Sequence, residues 1–354
     1  MTIIKIRIKK KSLICFQLVL ICGVLPALAA GFAGYAAVGG SDDLPLPSPA
    51  PTALSAETMA GIRETKSYLW YSEDDEPVEF LEEITPILSP DPDRETGKVV
   101  ETDASGNINV GSIAVNDTSG SDLDLEELLD AELPFSIEKN SKEPQILIYH
   151  THTTESYMGF FGGFYYRDES FRNTDKSKTV CAVGEKLKKT LEKAGYTVIH
   201  DTTVYDAPAF NGAYQRSMDS VQGYLAKYPG IKVTIDLHQD AIGDGKTNYK
   251  PTVTVGGRKA AQMMIITGSD PTGELAFENW YDNLIFSLKL QQKATEKFPG
   301  IMRPLMFCQR KYNMDATNAS FLIEVGTQVN TLQEAEYSGA LFGEILAEVL
   351  DEAS

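Results

Sequence analysis

The stretch that decides the fold is Ile146-Leu-Ile-Tyr-His-Thr-His-Thr-Thr-Glu155. Its first three residues are apolar and predict the core of a buried strand. Side chains two apart on a strand share a face, so we expect His150 and His152 to point the same way as the strand ends. Glu155 follows in the next loop or first helical turn. Two imidazoles and a carboxylate at the end of a buried strand suit Zn²⁺, which prefers histidine nitrogen and carboxylate oxygen as ligands.

Two later strands are predicted to end in the same way. One reads Val233-Thr-Ile-Asp-Leu-His238 and the other reads Phe321-Leu-Ile-Glu324. Each signal alone has an ordinary explanation, because histidines at strand ends are often structural and Glu324 could pair with Arg303 or Arg310. A buried glutamate without a charged partner is nevertheless costly, and a nearby divalent cation would remove that cost. Taken together, the three strand ends predict a metal site.

The expected chemistry is that of a catalytic zinc, which keeps one coordination position open. Three protein ligands hold the ion, and the pKa of a bound water falls to about 7 in favourable cases. A carboxylate that is not a ligand takes the proton and passes it to the leaving amine, and Glu324 is our candidate for this base. Arg310 or Asn313 would stabilise the oxyanion.

Predicted strands alternate with predicted helices from about residue 144 onward. The strands cover residues 146–149, 196–200, 232–237, 252–255, 263–267, 303–308 and 320–325, with Gly256-Gly257 linking the fourth and fifth. The helices cover residues 178–194, 214–227, 279–297 and 331–350. This alternation predicts an α/β fold with a mixed, mostly parallel central sheet flanked by helices. Sites in such sheets form at the carboxyl ends of the strands, where the candidate ligands lie.

Composition excludes some classes of function. The chain has 354 residues and a formal net charge of -18, which argues against nucleic-acid binding because that needs a basic face. Four cysteines are present and none forms a CxxC pair, so a cysteine-based zinc site is not expected. Whether Cys181 and Cys308 form a disulfide is left open by the sequence.

The chain divides by composition into three parts. Residues 1–38 hold a basic tip and an uncharged apolar run, Leu13 to Val38, which predicts a transmembrane anchor with its tip in the cytoplasm. A cleaved signal peptide ending near residues 27–30 is the alternative, and either way the body is exported. Residues 39–142 predict an acidic, largely disordered linker. Residues 143–354 predict the catalytic domain.

Three segments carry a resemblance to a known family. They are His150-Thr-His-Thr-Thr-Glu155, Asp236-Leu-His-Gln-Asp240 and Glu324-Val-Gly-Thr-Gln-Val-Asn330-Thr, and together they resemble the stage II sporulation protein P family of endospore-forming bacteria. The resemblance covers about residues 144–350 and says little about 39–142. The order of an anchor, a variable spacer and a C-terminal domain also matches.

The same domain is similar to the zinc-dependent N-acetylmuramoyl-L-alanine amidases. In that larger family one strand ends in histidine, a later strand ends in a second histidine, and a final Glu-x-Gly precedes an asparagine; His152, His238, Glu324 and Asn330 fit those places. The larger family takes a further ligand, a glutamate, from the start of its first long helix, but residues 173–178 contain no glutamate here. Glu155 is the nearest substitute, and His150 competes with it as the third ligand.

The resemblance implies an N-acetylmuramoyl-L-alanine amidase, which hydrolyses the amide between N-acetylmuramic acid and the L-alanine of the stem peptide in septal peptidoglycan during engulfment of the forespore. It also implies stage II sporulation proteins D and M as partners, and a membrane-anchored, extracytoplasmic location in the septal intermembrane space. For substrate binding we expect Asn313, Asn330 and Asp240. The alternatives are an exported zinc peptidase that cuts peptide cross-links and a catalytically inactive wall-binding scaffold.

Overall fold

The computed structural model describes residues 66–67, 80–81, 89–160 and 162–354. The predicted anchor at Leu13 to Val38 and most of residues 39–88 lie outside the described residues. Within the described ranges, no helix combines the length and the apolar character needed to cross a membrane.

Thirteen strands and five α-helices make up the described structure, numbered here in chain order. The strands are β1 (Lys66–Ser67), β2 (Phe80–Leu81), β3 (Thr96–Thr102), β4 (Val115–Thr118), β5 (Ile146–Tyr149), β6 (Phe164–Tyr166), β7 (Val198–His200), β8 (Val233–Asp240), β9 (Thr247–Val255), β10 (Arg258–Ala261), β11 (Met263–Gly268), β12 (Leu305–Cys308) and β13 (Ala319–Thr327). The helices are α1 (Leu125–Leu128), α2 (Val180–Lys193), α3 (Ala213–Lys227), α4 (Trp280–Lys297) and α5 (Leu332–Asp351). A 3₁₀ turn at Lys176–Lys178 precedes α2.

A seven-stranded sheet in the order β4-β12-β11-β13-β8-β5-β7 forms the centre of the fold. The pair β11/β13 is antiparallel, whereas every other neighbouring pair in this sheet is parallel. The sheet is therefore mixed, as predicted. β13, β8, β5 and β7 run in one direction, so their carboxyl ends meet at one edge of the sheet.

Helices cover both faces of this sheet because its strands are apolar on both sides. Ile146 and Ile148 of β5 pack in the main core with α2, α4 and α5, while Leu147 and Tyr149 pack on the other face with Val221 of α3. The alternation along β5 follows from the two-residue period of a strand. The four helices observed around the sheet match the four predicted.

Two glycines let α2 and α5 approach each other closely. A Cβ atom added at Gly339 would lie 2.8 Å from the backbone oxygen of Val183, and one at Gly343 would lie 2.6 Å from the side chain of Thr190. α5 itself begins at a capping box, in which Thr331 and Glu334 each bond to the backbone of the other. This close contact with α5 fixes the position of α2 against the sheet, and α2 packs beside the loop that follows β5.

The acidic segment departs from the expectation of disorder between residues 89 and 142. β3 lies between β9 and β6 in a second sheet of order β10-β9-β3-β6, and β4 extends the large sheet at β12. The prediction of disorder used only the charge and hydrophobicity of the segment itself. These strands are instead stabilised by pairing with strands far along the chain, which composition does not report. Six apolar residues of this segment are also buried in the main core: Ile113, Val115, Leu125, Leu128, Leu129 and Ile137.

Two smaller expectations are also resolved. The turn Gly256-Gly257 joins β9 to β10 in the second sheet, and β11 belongs to the large sheet instead. The polar start of β10 hid this strand from sequence reasoning. Cys181, on α2, and Cys308, at the end of β12, are both free cysteines.

Candidate metal centre

The candidate site lies where β5, β8 and β13 end side by side. Tyr149 is in register with Asp236, and His238 is in register with Glu324. β5 ends at Tyr149 and the chain then turns over residues 151–154, so His150 and His152 do not continue a strand. The expectation that they share a face is therefore wrong, since strand periodicity stops where the turn begins.

The structure brings His152, Glu155 and His238 together. Each offers one ligand atom, and these atoms lie within 4.8 Å of one another. The imidazole rings of His152 and His238 are 5.3 Å apart and nearly perpendicular. Glu155 Oε2 lies 3.5 Å from His238 Nδ1 and accepts a hydrogen bond of 3.0 Å from the backbone amide of Gln239. Two nitrogens and one carboxylate oxygen are a donor set that suits Zn²⁺.

Buried atoms without hydrogen-bond partners mark the same spot. Within the described part of the chain, His152 Nδ1 and Glu324 Oε2 are buried and make no hydrogen bond. His238 Nε2 faces a carboxylate instead, since it lies 2.8 Å from Asp236 Oδ1. Unsatisfied buried polar atoms are rare in proteins, and their clustering here fits a site built for a cation.

Burial and charge set the protonation of the candidate ligands. Burial lowers the pKa of His152 to about 4, despite the attraction of Glu155. Burial also works against the charged form of His238, but the carboxylates of Asp236 and Glu155 outweigh it and hold its pKa well above the ordinary value. For Glu155, burial raises the pKa and its contacts with His238 lower it, with a net lowering. Glu155 is therefore an anion beside two imidazoles.

Glu324 differs from Glu155 in its surroundings. It is 3% exposed, and burial raises its pKa well above the ordinary value, helped by repulsion from Asp240. Neither of the arginines considered from sequence forms a salt bridge with it. Arg303 pairs with Asp240 at 2.8 Å, and Arg310 donates to the carbonyl oxygen of Gln309. Glu324 thus favours its protonated form more strongly than an exposed glutamate does.

Two buried aspartates, both missed by sequence reasoning, hold the turn that carries His152. Asp236 accepts the amide of Thr151 at 2.8 Å and its hydroxyl at 2.6 Å. Asp206 accepts the hydroxyl of Thr154 at 2.7 Å and is paired with Arg172 at 2.7 Å. Asp236 was detectable, because it stands two residues before His238 on the same strand face.

The structure places His150 away from this group. Its Nδ1 lies 2.9 Å from the carbonyl oxygen of Leu237 and its Nε2 lies 2.9 Å from His200 Nε2. A carbonyl only accepts, so Nδ1 carries the proton. Burial, followed by repulsion from His200, lowers the pKa of His150 to about 3. Both ring nitrogens are engaged on the α2 side of the sheet, which leaves Glu155 as the third member of the group.

The predicted substrate-binding residues make contacts within the protein. Asn313 donates to the carbonyl oxygen of Tyr214 at 2.9 Å and to the hydroxyl of Ser217 at 3.0 Å. Asn330 is fully buried and donates to Glu334 at 3.0 Å. Asp240 is held by Arg303, as described above. These side chains fix the loops and strands around the site.

An aromatic wall lies beside the two histidines and was not found from sequence. Phe210 stacks on His152 with ring centroids 4.4 Å apart, and Tyr214 is stacked near His238 at 6.4 Å. Tyr312 lies 5.6 Å from Tyr214. Tyr312 and Asn313 have positive φ angles of 41° and 59°, and non-glycine residues adopt this conformation where the surrounding structure holds them. The wall gives the site an apolar side next to its charged one.

Fold and site together define an α/β protein with a candidate metal centre of two histidines and a glutamate, flanked by a second, buried glutamate. The chain belongs to the stage II sporulation protein P (SpoIIP) family, whose family model matches residues 76–347. It is 25% identical to stage II sporulation protein P of Bacillus subtilis (strain 168) over 215 residues, which make up 58% of this chain and 50% of the relative. The chain thus spans about half the length of that relative.

Solved structures with some likeness include two amidases. The CwlD amidase of Clostridioides difficile, in complex with the GerS lipoprotein, is 13% identical with a TM-score of 0.37, and the match covers 59% of this chain and 98% of that chain. The N-acetylmuramoyl-L-alanine amidase AmiC2 of Nostoc punctiforme is 11% identical with a TM-score of 0.34, covering 59% of this chain and 96% of that chain.

Proposed function

We propose that this protein is a zinc-dependent peptidoglycan hydrolase of sporulation, which cleaves the amide between N-acetylmuramic acid and the L-alanine of the stem peptide. One observation carries the proposal: His152, Glu155 and His238 gather their ligand atoms within 4.8 Å, beside the buried and unpartnered Oε2 of Glu324. Membership of the stage II sporulation protein P family supports the role in sporulation.

Each residue of the centre has a distinct role in the proposed reaction. His152, Glu155 and His238 hold Zn²⁺, which when bound supplies Lewis-acid chemistry and activates water. Glu324 accepts a proton at Oε2 and delivers it to the leaving amine. Its raised pKa makes its carboxylate form a stronger base than an exposed glutamate, and a bound Zn²⁺ beside it would favour that carboxylate form.

The surroundings of the centre would orient the substrate. Phe210 and Tyr214 shield one side of the His152 ring from solvent. The lower local dielectric strengthens the electrostatic interactions inside the site. Arg310 remains our candidate for stabilising the oxyanion, since its loop also carries Tyr312 of the aromatic wall. Asn313, Asn330 and Asp240 would act on substrate indirectly, through the loops that they hold.

The cellular setting follows from the sequence and is part of the proposal. An anchor within residues 1–38 and a spacer that starts at residue 39 would hold the domain outside the cytoplasmic membrane, in the septal intermembrane space. Peptidoglycan is then the substrate, and stage II sporulation proteins D and M are the proposed partners. These assignments rest on the resemblance of residues 144–350 to the family.

The test is digestion of purified peptidoglycan by the zinc-loaded full-length chain, with the products identified by mass spectrometry. Release of free stem peptides is the expected result. Opened cross-links with intact sugar–peptide bonds would indicate a peptidase instead, and no product at all would indicate a wall-binding scaffold.

His152→Ala and His150→Ala form a matched pair for the metal assignment, since both remove an imidazole from the same segment. We expect His152→Ala to lose bound zinc and activity. His150→Ala should keep its zinc and lose stability, because His150 is fully buried and bonded to Leu237. Equal zinc loss in both variants would contradict the ligand assignment.

A further inference from the structure

The buried carboxylate of Asp236 lies behind His238, on the side of the ring opposite Glu155. The two nitrogens of His238 face different carboxylates: Nδ1 is 3.5 Å from Glu155 Oε2 and Nε2 is 2.8 Å from Asp236 Oδ1. Glu155 belongs to the candidate ligand group and Asp236 does not. Nδ1 therefore faces the centre of that group, and Nε2 faces into the protein.

Asp236 is placed to act as a fixed acceptor. Its side chain is completely buried, and it is held by the amide and the hydroxyl of Thr151 at 2.8 and 2.6 Å. The Thr151 hydroxyl is itself 2.8 Å from the hydroxyl of Ser217 on α3. One carboxylate thus touches both the turn that carries His152 and the ring of His238.

We propose that Asp236 is a positioning residue for the metal centre, which orients His238 and keeps the proton on Nε2 so that Nδ1 is free to bind zinc. Histidine ligands commonly present their second nitrogen to a carboxylate, which fixes the tautomer and raises the basicity of the ligand nitrogen. Asp236 also couples the two histidines, since Thr151 and His238 share its Oδ1 atom. This inference rests on the proposed zinc site.

The test compares the zinc affinity of three variants of the full-length chain, measured by competition with a chromogenic chelator. Asp236→Asn keeps the size of the side chain and an acceptor for Thr151 but loses the charge that faces His238. We expect its zinc affinity to fall by about 10- to 100-fold, as is typical when such an outer partner is removed.

Asp201 offers a matched control. It is also buried and accepts the amide and the hydroxyl of one threonine, Thr203, at 2.9 and 2.7 Å, but within the described residues it forms no ion pair with a histidine such as the one between Asp236 and His238. Asp201→Asn should keep the affinity of the wild type. Thr151→Val removes the hydroxyl bond to Asp236 and leaves the carboxylate facing His238, so it should keep the affinity as well. If Thr151→Val weakens zinc binding as much as Asp236→Asn does, Asp236 acts only by holding the turn and the inference is wrong.

A second measurement needs no variant that could fail to fold. Nitrogen NMR of the zinc-loaded wild-type chain should show the proton of His238 on Nε2 and the metal on Nδ1. The opposite arrangement would overturn the role of Asp236 and leave the zinc hydrolase proposal standing. A wild-type chain that binds no zinc would overturn both.

Discussion

Replacement of Glu324 by glutamine is expected to stabilise the fold while abolishing activity. Glu324 is 3% exposed, its Oε2 has no hydrogen-bond partner in the described structure, and burial raises its pKa well above 4.5. Below the unfolded-state pKa both states carry the proton, so the residue has no pH-dependent effect there. As the pH rises, the unfolded chain ionises and the folded chain does not, so stability is lost up to the folded-state pKa.

The size of the effect follows from this linkage. Each pH unit between the unfolded-state and folded-state pKa values lowers the free energy of unfolding by about 1.4 kcal/mol. With an unfolded value near 4.5, the loss at pH 7 reaches at most about 3.5 kcal/mol. Glutamine has nearly the same shape and no ionisable proton, so Glu324→Gln should recover up to this amount. Removal of a general base should lower the rate of hydrolysis by about 10²- to 10⁴-fold.

Urea unfolding in the presence of a chelator measures the first effect, at pH 5 and at pH 7, and release of stem peptides measures the second. Glu334→Gln is the control, because Glu334 is also buried but is paired with Lys250 at 2.8 Å. Its replacement should destabilise the fold, because Lys250 would keep only the longer contact of 3.7 Å with Glu101. The reasoning is refuted if the difference between wild type and Glu324→Gln does not grow from pH 5 to pH 7, or if Glu324→Gln keeps full activity.

Three further predictions concern stability. Burial lowers the pKa of His200 from 6.5 to about 4, so the stability that this residue contributes above pH 6.5 should be lost as the pH falls below that value. The urea midpoint of His200→Gln should therefore lie below that of the wild type at neutral pH and approach it on acidification. A difference between the two midpoints that does not change with pH would contradict this. Gly268→Ala should destabilise the fold, since its Cβ would overlap the carbonyl oxygen of Arg310, whereas Gly223→Ala in α3 has open space and should stabilise by about 0.5–1 kcal/mol, both measured by thermal unfolding. Asn330→Ala should lower the melting temperature and leave KM nearly unchanged, because Asn330 is fully buried and bonded to Glu334 and Thr327. A raised KM with an unchanged melting temperature would instead assign Asn330 to substrate binding.

The sequence predicted those features that depend on local pattern. The helices α2, α3, α4 and α5 and the strands that carry His238 and Glu324 follow from apolar periodicity, which reports which face of an element is buried. The predicted ends of these two strands were too early, because β8 continues to Asp240 and β13 to Thr327. The gathering of strand ends then follows from parallel pairing, since β8 lies between β5 and β13. These two rules were enough to place His152, Glu155, His238 and Glu324 in one region.

Other features depend on contacts that no local pattern reports. The direction of His150 was missed because the turn begins right after β5, and its partner His200 comes from a separate strand. Asn330 and Asn313 were predicted to bind substrate, but the side chains of both residues form hydrogen bonds within the protein that only the folded structure shows. The aromatic wall was missed because Phe210 and Tyr312 lie in loops more than a hundred residues apart.

The strands β3 and β4 have a practical consequence for anyone trimming the chain. β4 covers the edge of β12 and β3 fills the gap between β9 and β6, so a fragment that starts at residue 143 would present bare backbone amides and carbonyls at both places. Unpaired strand edges of this kind form hydrogen bonds with strands of other molecules. We expect that fragment to aggregate, whereas a fragment that begins upstream of Thr96 should remain monomeric at the same concentration, as measured by light scattering.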